Sequence, residues 1–256
     1  MTTRPALLDL GHDVGDPRRD WVLSAEGNIS SRSDERHMII KASGCSMQSM
    51  TDDDLLVVDR LAILGLLDMR AVTDETIAQA YRDAVAPTGA ATRMPSVEAI
   101  LHAVIYAESD ASVIAHTHPT AVNALLCSTA AHLIVEGALF PDQIVVLGRR
   151  QLLIPYTDPG VPLAAAVRGA LRDFIGAHGT RPRAVYLANH GLFALADSTD
   201  DAVRITAMAV KAAQILLGAL AAGGPVFLSD EHADRIEGRP DEHYRRDRLA
   251  DDSGRN

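Results

Sequence analysis

The chain has 256 residues, of which 47% are hydrophobic and only 4% aromatic, and its formal net charge is −10 at pH 7. This length and apolar content predict one sizeable domain whose core is filled by aliphatic side chains and alanine. The acidic balance lacks a dense basic stripe or tail, which argues against a nucleic-acid or anionic-membrane surface. It does not argue against a small anionic substrate, because backbone N–H groups can bind phosphate on an acidic protein.

The cysteine content and the N-terminal sequence both favour a reducing compartment. Cys45 and Cys127 form no CxxC pattern and are too few for a disulfide framework, so we expect two free thiols. Residues 1–20 carry scattered charges and no apolar signal segment. A cytoplasmic location is therefore expected.

In chain order, residues 1–20 predict a loosely ordered lead-in or a short helix at 6–10, followed by alternating strands and helices. Strands are predicted at 25–32 (after a turn), 38–42, 55–59, 111–116, 144–147, 184–188 and 192–196. Helices are predicted at 73–85, 96–108, 120–126, 163–177 and 199–220, with a capped turn at 51–54.

The C-terminal part of the chain contains an apolar helix and a charged tail. The apolar stretch 207–222 is interrupted by Lys211 and Gln214, which predicts a buried helix and not a membrane span. Residues 229–256 are strongly charged and predict a flexible extension or a strap over a neighbouring subunit.

The order of elements predicts an α/β fold. Hairpin-like strands come first and helices then alternate with strands, which is typical of a three-layer α/β/α domain around a central mixed, largely antiparallel sheet. We place this domain at residues 21–228. No GxGxxG follows the first strand, so dinucleotide binding of the Rossmann type is not expected.

The most informative motif is His116-Thr117-His118-Pro119, at the end of a short apolar run. Residues i and i+2 of a strand point to the same face, so the two imidazoles can hold one metal ion. A lone His-x-His is weak evidence in a chain with 10 histidines. His190, which follows the predicted strand 184–188, adds a third ligand, and three histidines are a common catalytic zinc set.

Two further side chains upstream of this motif are candidates for chemistry. Glu98 could be a fourth ligand or a general acid/base, and the alternative is a helix-start glutamate favoured by the dipole. His102 shares the helical face of Glu98 and could support the site, or it could be an ordinary helix histidine.

Five motifs together resemble the class II aldolase/adducin family, which includes zinc-dependent fuculose-phosphate and rhamnulose-phosphate aldolases. They lie in the family's order and spacing and span about residues 20–222. They are 26–30 (Glu-Gly-Asn-Ile-Ser), 41–44 (Lys-Ala-Ser-Gly), 95–98 (Pro-Ser-Val-Glu), 116–119 (His-Thr-His-Pro) and 188–191 (Ala-Asn-His-Gly).

The resemblance implies a role for each matching residue. His116, His118 and His190 would bind the metal, with Zn²⁺ favoured and Mn²⁺, Co²⁺ or Fe²⁺ as alternatives. Glu98 would be the catalytic proton shuttle. The phosphate of the substrate would contact loop residues that are small or polar: Gly27, Asn28, Ser43, Gly44 and Ser96.

Some positions are left open by the resemblance. Val97 stands where fuculose-type members have a second serine, so the phosphate could lose one hydrogen bond. Lys41 could add positive charge near the anion or could be a solvated strand residue. The family uses a tyrosine of a neighbouring subunit as a proton donor, for which Tyr156 and Tyr244 are candidates only.

The activity implied is reversible retro-aldol cleavage of a ketose 1-phosphate, or a related hydroxy-carbonyl compound, to dihydroxyacetone phosphate and an aldehyde by a homotetramer. The same fold and site also host pentulose-phosphate 4-epimerases, a sugar-phosphate dehydratase, decarboxylases and an iron oxygenase. An adducin-like interaction module is disfavoured, because members of that type are expected to lack the metal ligands.

Overall fold

A seven-stranded sheet forms the centre of the computed structural model, which describes residues 2–69, 71–86 and 93–239. The strand order is β3-β2-β1-β4-β7-β6-β5, and every neighbouring pair is antiparallel except β5 and β6. The strands are β1 (Asn28–Arg32), β2 (His37–Lys41), β3 (Leu55–Asp59), β4 (Val113–Thr117), β5 (Leu152–Ile154), β6 (Ala184–Leu187) and β7 (Gly191–Ala196). The expected mixed, largely antiparallel sheet is therefore confirmed.

Helices cover both faces of the sheet. They are α1 (Arg4–Val14), α2 (Arg60–Leu64), α3 (Asp74–Ala84), α4 (Ala99–Glu108), α5 (Thr120–Leu126), α6 (Leu133–Glu136), α7 (Pro141–Leu147), α8 (Val161–His178), α9 (Thr199–Ala221) and α10 (Asp230–Glu237). One apolar cluster joins one face of the sheet to α1, α5 and α9, and a second cluster joins the other face to α2, α4 and α8. These three layers are the predicted α/β/α architecture.

Strand β4 is buried along its whole length and lies at the middle of the sheet. Its neighbours place Asn28 of β1 and Phe193 of β7 directly beside His116. Alternation along the strand sends Ala115 to one apolar cluster and Ile114 to the other. The end of β4 is therefore held rigidly from both sides, which suits a site that needs fixed ligands.

The prediction of a strand at 144–147 is wrong, because these residues form the second half of α7. Pro141 stands in the first turn of that helix, where its missing N–H costs nothing, and residues 143–147 are all buried. A short apolar run buried on every side has no helical or strand period that would distinguish the two. The neighbouring strand β5 was not predicted.

Both ends of the described chain are more ordered than the sequence indicates. Helix α1 is capped by Thr3 and buries Leu7, Leu10 and Val14, so it extends beyond the short helix expected at 6–10. Helix α10 lies in the segment expected to be a flexible extension or a strap over another subunit. It packs on α7 of the same chain, and residues 240–256 of that segment lie outside the described residues.

Helix α9 is long and apolar enough, by length and composition alone, to cross a membrane. It lies against α5, β4 and β7, and Ile205, Ala209 and Leu216 are buried in the core. These contacts match the expected buried helix.

Candidate metal centre between two cavities

Three histidines meet at one end of the sheet. His116 is the second-last residue of β4, His118 follows that strand, and His190 lies in the tight turn between β6 and β7. Their ligand atoms all lie within 4.8 Å of one another. Asn189 takes a left-handed conformation with φ of 56° in that turn, which asparagine tolerates, and this brings His190 back toward β4.

Hydrogen bonds fix which nitrogen of His116 and of His118 faces the centre. Nδ1 of His116 donates to the Leu192 carbonyl at 3.0 Å, and Nδ1 of His118 donates to Glu26 at 3.2 Å. Each Nε2 therefore keeps its lone pair, and the two Nε2 atoms are only 2.9 Å apart. Two converging lone pairs repel unless a cation lies between them, so this donor set fits a divalent metal.

Glu98 completes the cluster from the start of α4. Its carboxylate oxygens lie 3.2 Å from Nε2 of His116 and 2.9 Å from Nε2 of His190. Burial raises the pKa of this carboxyl, but positive charge at the His116 and His190 positions outweighs burial, so the net shift is downward. Glu98 is thus an ionised base held beside the metal ligands, where it can also accept a proton from a bound substrate.

Two glycines allow the backbone to approach the histidines closely. A Cβ on Gly191 would lie 2.6 Å from Cδ2 of His118 and 2.7 Å from the Thr117 carbonyl. Gly27 has φ of +69°, and a Cβ there would lie 2.7 Å from the His116 carbonyl. A side chain at either position would push the β4 end out of place.

A series of hydrogen bonds with defined donors and acceptors links Glu98 through Asn28 to His102 and Ser30. The side chain of Asn28 donates to Glu98 at 2.7 Å and to Ser96 at 3.0 Å, so its oxygen is left to accept from Nε2 of His102. Nδ1 of His102 then accepts from the Ser30 hydroxyl at 2.6 Å. Because a carboxylate only accepts, these directions are fixed from Glu98 outward.

His102 is fully buried in this chain. Burial lowers the pKa of His102 to about 3, which keeps the ring neutral and in the tautomer that the chain requires. The Tyr106 hydroxyl forms a further hydrogen bond of 2.9 Å, donating to the Ser30 oxygen, whose own hydrogen goes to His102. Glu98, His102 and Tyr106 are spaced by four residues and share one face of the α4 segment.

A polar cavity of about 260 Å³ lies beside Glu98. It is lined by the five residues that the resemblance assigns to phosphate: Gly27, Asn28, Ser43, Gly44 and Ser96. Lys41 also lines it and is only 1% exposed, so the alternative of a solvated strand residue is wrong. Burial lowers the pKa of the Lys41 ammonium, and an anion beside it would favour the charged form.

The polar side chains of this cavity are not equally free to bind a ligand. Both amide hydrogens of Asn28 are already donated to Ser96 and Glu98. The Ser96 oxygen accepts from Asn28 and from the Glu98 backbone, so its own hydrogen is left to donate to a ligand. Asn28 is therefore better placed to orient Glu98 than to contact a phosphate.

A second, apolar cavity of about 340 Å³ is also lined by Glu98 and reaches His190. Its walls come from α3, α4, α8 and the turn before α3, chiefly Leu66, Ile77, Tyr81, Leu101, Val161 and Leu163. The two cavities share Val97 and Glu98. The sequence did not indicate this second cavity, because its apolar residues cannot be told from core residues along the chain.

Other residues differ from expectation in detail. Helix α4 begins at Ala99, three residues later than predicted, so Ser96 and Val97 lie in the turn before it. Glu26 was not expected to hold His118, although it belongs to a quoted motif. Tyr156 is 59% exposed and does not line either cavity, and Tyr244 lies outside the described residues.

Comparison with known proteins finds two curated relatives of different activity. A methylthioribulose-1-phosphate dehydratase of Geobacillus kaustophilus is 28% identical over 183 residues, covering 68% of this chain and 72% of that protein. A 3-oxo-tetronate 4-phosphate decarboxylase of Haemophilus influenzae is 24% identical over 196 residues, covering 75% and 76%. Neither identity is high enough to carry an activity over directly.

Solved structures share the fold. YgbL of Klebsiella pneumoniae superposes with a TM-score of 0.69 at 18% identity, covering 92% of this chain and 99% of that one. L-fuculose-1-phosphate aldolase of Thermus thermophilus superposes with a TM-score of 0.59 at 23% identity, covering 87% and 97%. The family described as the class II aldolase and adducin N-terminal domain matches residues 6–217. The chain therefore belongs to the class II aldolase and adducin N-terminal domain family.

Proposed function

We propose that this protein is a divalent-metal-dependent lyase that reversibly cleaves a ketose 1-phosphate, or a related hydroxy-carbonyl compound, to dihydroxyacetone phosphate and an aldehyde. The observation that carries this proposal is the position of Glu98. Its carboxylate touches two of three converging histidines, and Glu98 lines both a cavity with a buried lysine and an apolar one. A base beside a cation site is the arrangement that proton transfer next to a carbonyl requires.

His116, His118 and His190 would hold the metal, and Zn²⁺ suits three neutral imidazoles best. When bound, a divalent cation supplies Lewis acidity that stabilises negative charge on the carbonyl oxygen of the substrate. Lys41 and Ser96 would bind the phosphate, together with the backbone N–H groups near Gly27 and Gly44. The substrate would then lie across Glu98.

Glu98 would move the proton at the carbon that becomes nucleophilic. In the direction of synthesis it takes a proton from the hydroxymethyl carbon of dihydroxyacetone phosphate, and the carbanion then adds to the aldehyde. In that direction Glu98 then returns the proton to the C4 alkoxide. In the direction of cleavage Glu98 takes the proton of the C4 hydroxyl as the C3–C4 bond breaks and then delivers it to C3. Asn28 and His102 would keep the carboxylate oriented for this transfer.

A second candidate function is dehydration or decarboxylation of a sugar phosphate, favoured by the activities of the two curated relatives. These reactions use the same first requirement, a stabilised negative charge next to a carbonyl, and differ in the group that leaves. Loss of water or carbon dioxide would leave no dihydroxyacetone phosphate, so the products distinguish them from aldol cleavage.

By resemblance we also propose a cytoplasmic homotetramer. Family members with this fold place a tyrosine of a neighbouring subunit at the site, and no tyrosine other than Tyr81 lines the two cavities among the described residues. Sedimentation of the purified protein would test the oligomeric state.

The test combines metal analysis with a product assay. Purified protein should contain about one divalent ion per chain and release dihydroxyacetone phosphate, detected by a coupled NADH-dependent reductase, from one member of a panel of ketose 1-phosphates. Glu98→Gln should retain the metal and lose activity by at least about 10³-fold, whereas Glu231→Gln, on exposed α10, should be unaffected. Bound metal with no dihydroxyacetone phosphate from any substrate would refute the aldolase.

A further inference from the structure

The apolar cavity on the His190 side of Glu98 is a feature that the proposed chemistry does not use. A metal, a carboxylate and a phosphate-binding cavity suffice for lyase chemistry, yet about 340 Å³ of additional space opens directly from Glu98 and His190. Because the polar cavity shares Val97 and Glu98 with this space, a substrate anchored there by its phosphate can extend past Glu98 into the apolar cavity. The residues that line this cavity therefore indicate which chemical groups the far end of the substrate carries.

The walls offer almost no side-chain partner for a sugar hydroxyl. Leu101 and Leu163 are buried in the core, and Leu66 is 2% exposed. The Tyr81 hydroxyl is already occupied, since it donates to the Val97 carbonyl at 3.0 Å and accepts from the Ile100 backbone at 3.2 Å. Only the aromatic ring of Tyr81 is left to contact a ligand.

The remaining polar side chains do not change this conclusion. Asp74 is exposed to solvent at the start of α3. Glu98 and His190 belong to the metal centre itself. A polyhydroxylated chain in the cavity would leave its hydroxyls without partners, and each buried unpaired hydroxyl is costly. An alkyl or thioalkyl chain would instead replace water along the leucine and isoleucine walls.

We propose that the substrate carries an apolar substituent, an alkyl or thioalkyl group, at the end opposite its phosphate, and that the apolar cavity binds it. This inference rests on the proposed function for the position of the phosphate and the reacting carbons. It deepens that function by excluding fully hydroxylated sugar phosphates as preferred substrates. Ile77 is a specificity-determining residue in this assignment, because it faces the cavity from α3 without being part of the metal centre.

The proposal can be tested by binding alone, without turnover. Hydroxamic acids chelate Zn²⁺, and hexanohydroxamic and gluconohydroxamic acids have the same carbon chain with apolar and hydroxylated tails. We expect the zinc-loaded protein to bind the hexano form at least about tenfold more tightly than the glucono form by calorimetry. Acetohydroxamic acid, which has almost no tail, measures the contribution of the metal centre.

Matched variants locate the effect in the cavity. Ile77→Ser should weaken hexanohydroxamate binding by about fivefold or more and leave acetohydroxamate binding unchanged. Ile215→Ser removes the same side chain from the exposed surface of α9 and should change neither. Equal binding of the two six-carbon hydroxamates, or an equal effect of the two serine variants, would overturn the proposal.

The two proposals fail in different ways. A tenfold preference for the hexano form with no dihydroxyacetone phosphate release would refute the aldolase and retain the apolar subsite. Release of dihydroxyacetone phosphate from hydroxylated ketose phosphates, with no preference between hydroxamates, would refute the subsite and retain the aldolase.

Discussion

The two cavities beside Glu98 are built from different parts of the chain in different ways. The polar cavity is made from turns, where Gly27 and Gly44 have positive φ and Lys41 brings a buried charge. The apolar cavity is made from side chains on helices that also form the core. Backbone N–H groups and a fixed charge suit an anion, whereas apolar helix side chains suit a tail that matches their shape.

This difference distinguishes residues that the reaction needs with every substrate from residues that select one substrate. Glu98 and the histidines serve both sides, so damage to them should abolish activity toward every substrate. Changes in the polar cavity should affect phosphorylated ligands only, and changes in the apolar cavity should affect the choice among tails. The following predictions test that separation, beginning with the group that both cavities share.

Removal of a metal ligand should have the largest effect. We expect His190→Ala to lower activity by more than about 100-fold, since even outer partners of metal ligands cost about 10–100-fold when removed. Zinc should raise the melting temperature of the wild-type protein, because a ligand that binds only the folded state stabilises it, and this shift should be absent or much smaller in the variant. Thermal melts with and without zinc measure this.

His132→Ala is the matched control for this experiment, because His132 is exposed and distant in the chain from the ligand motifs. Its activity and its zinc-dependent shift in melting temperature should equal those of the wild type. An unchanged zinc shift in His190→Ala would contradict the assignment of His190 as a ligand.

Lys41→Met should weaken ligand binding in the polar cavity alone. A lost hydrogen bond to a charged group costs about 1.5–3 kcal/mol, so KM for a phosphorylated substrate should rise by about 10- to 100-fold. Acetohydroxamate affinity should not change, since Lys41 is not a metal ligand. Lys211→Met, which replaces an exposed lysine on α9, is the control. Equal losses for phosphate and hydroxamate ligands would indicate damage to the whole site instead.

The hydrogen bonds that link Glu98 through Asn28 to His102 predict a smaller loss of activity. His102→Leu removes the donor to Asn28, so Glu98 loses its orientation and kcat should fall by about tenfold while acetohydroxamate binding is retained. His102→Gln keeps one donor and one acceptor and should restore most of kcat. Equal activity of the two variants would show that His102 fills space and does not orient Glu98.

The same histidine predicts how stability depends on pH. The pKa of His102 is about 3 in the folded protein against 6.5 for the free side chain, so only the unfolded chain takes up this proton between those values. The free energy of unfolding should fall as pH drops below 6.5, by about 2 kcal/mol at pH 5. Urea unfolding at pH 7 and pH 5 should show that His102→Gln lacks this component.

The metal centre and the polar cavity could be predicted from the sequence, because their residues lie in short motifs with characteristic spacing. His116 and His118 are two residues apart on one strand, and the resemblance joined them to His190 and Glu98. The five polar-cavity residues came from short motifs in the same way. Motifs of this kind record local backbone geometry, which is why all of them meet at one end of the sheet.

Helix α7, the apolar cavity and the hydrogen bonds to Glu98 could not be predicted, because they depend on contacts between residues that are distant in the sequence. Residues 144–147 are buried on every side, so their pattern did not distinguish a helix from a strand. The apolar cavity combines residues from three helices and a turn, and nothing along the chain separates Ile77 from a core residue. The four-residue spacing of Glu98 and His102 indicated a shared face, but the direction of their hydrogen bonds required Asn28 and Ser30 from another element.

Val97 gives the smallest and most discriminating effect, because it is 73% exposed and lines both cavities. Val97→Ser adds a hydroxyl toward the phosphate and removes apolar surface beside the tail. We expect affinity for a phosphorylated ligand to rise about threefold and affinity for hexanohydroxamate to fall about threefold, since a single net hydrogen bond or methyl group contributes about 1 kcal/mol or less. Calorimetry with inorganic phosphate and hexanohydroxamate measures both changes, and changes of the same sign would show that Val97 does not divide the two cavities.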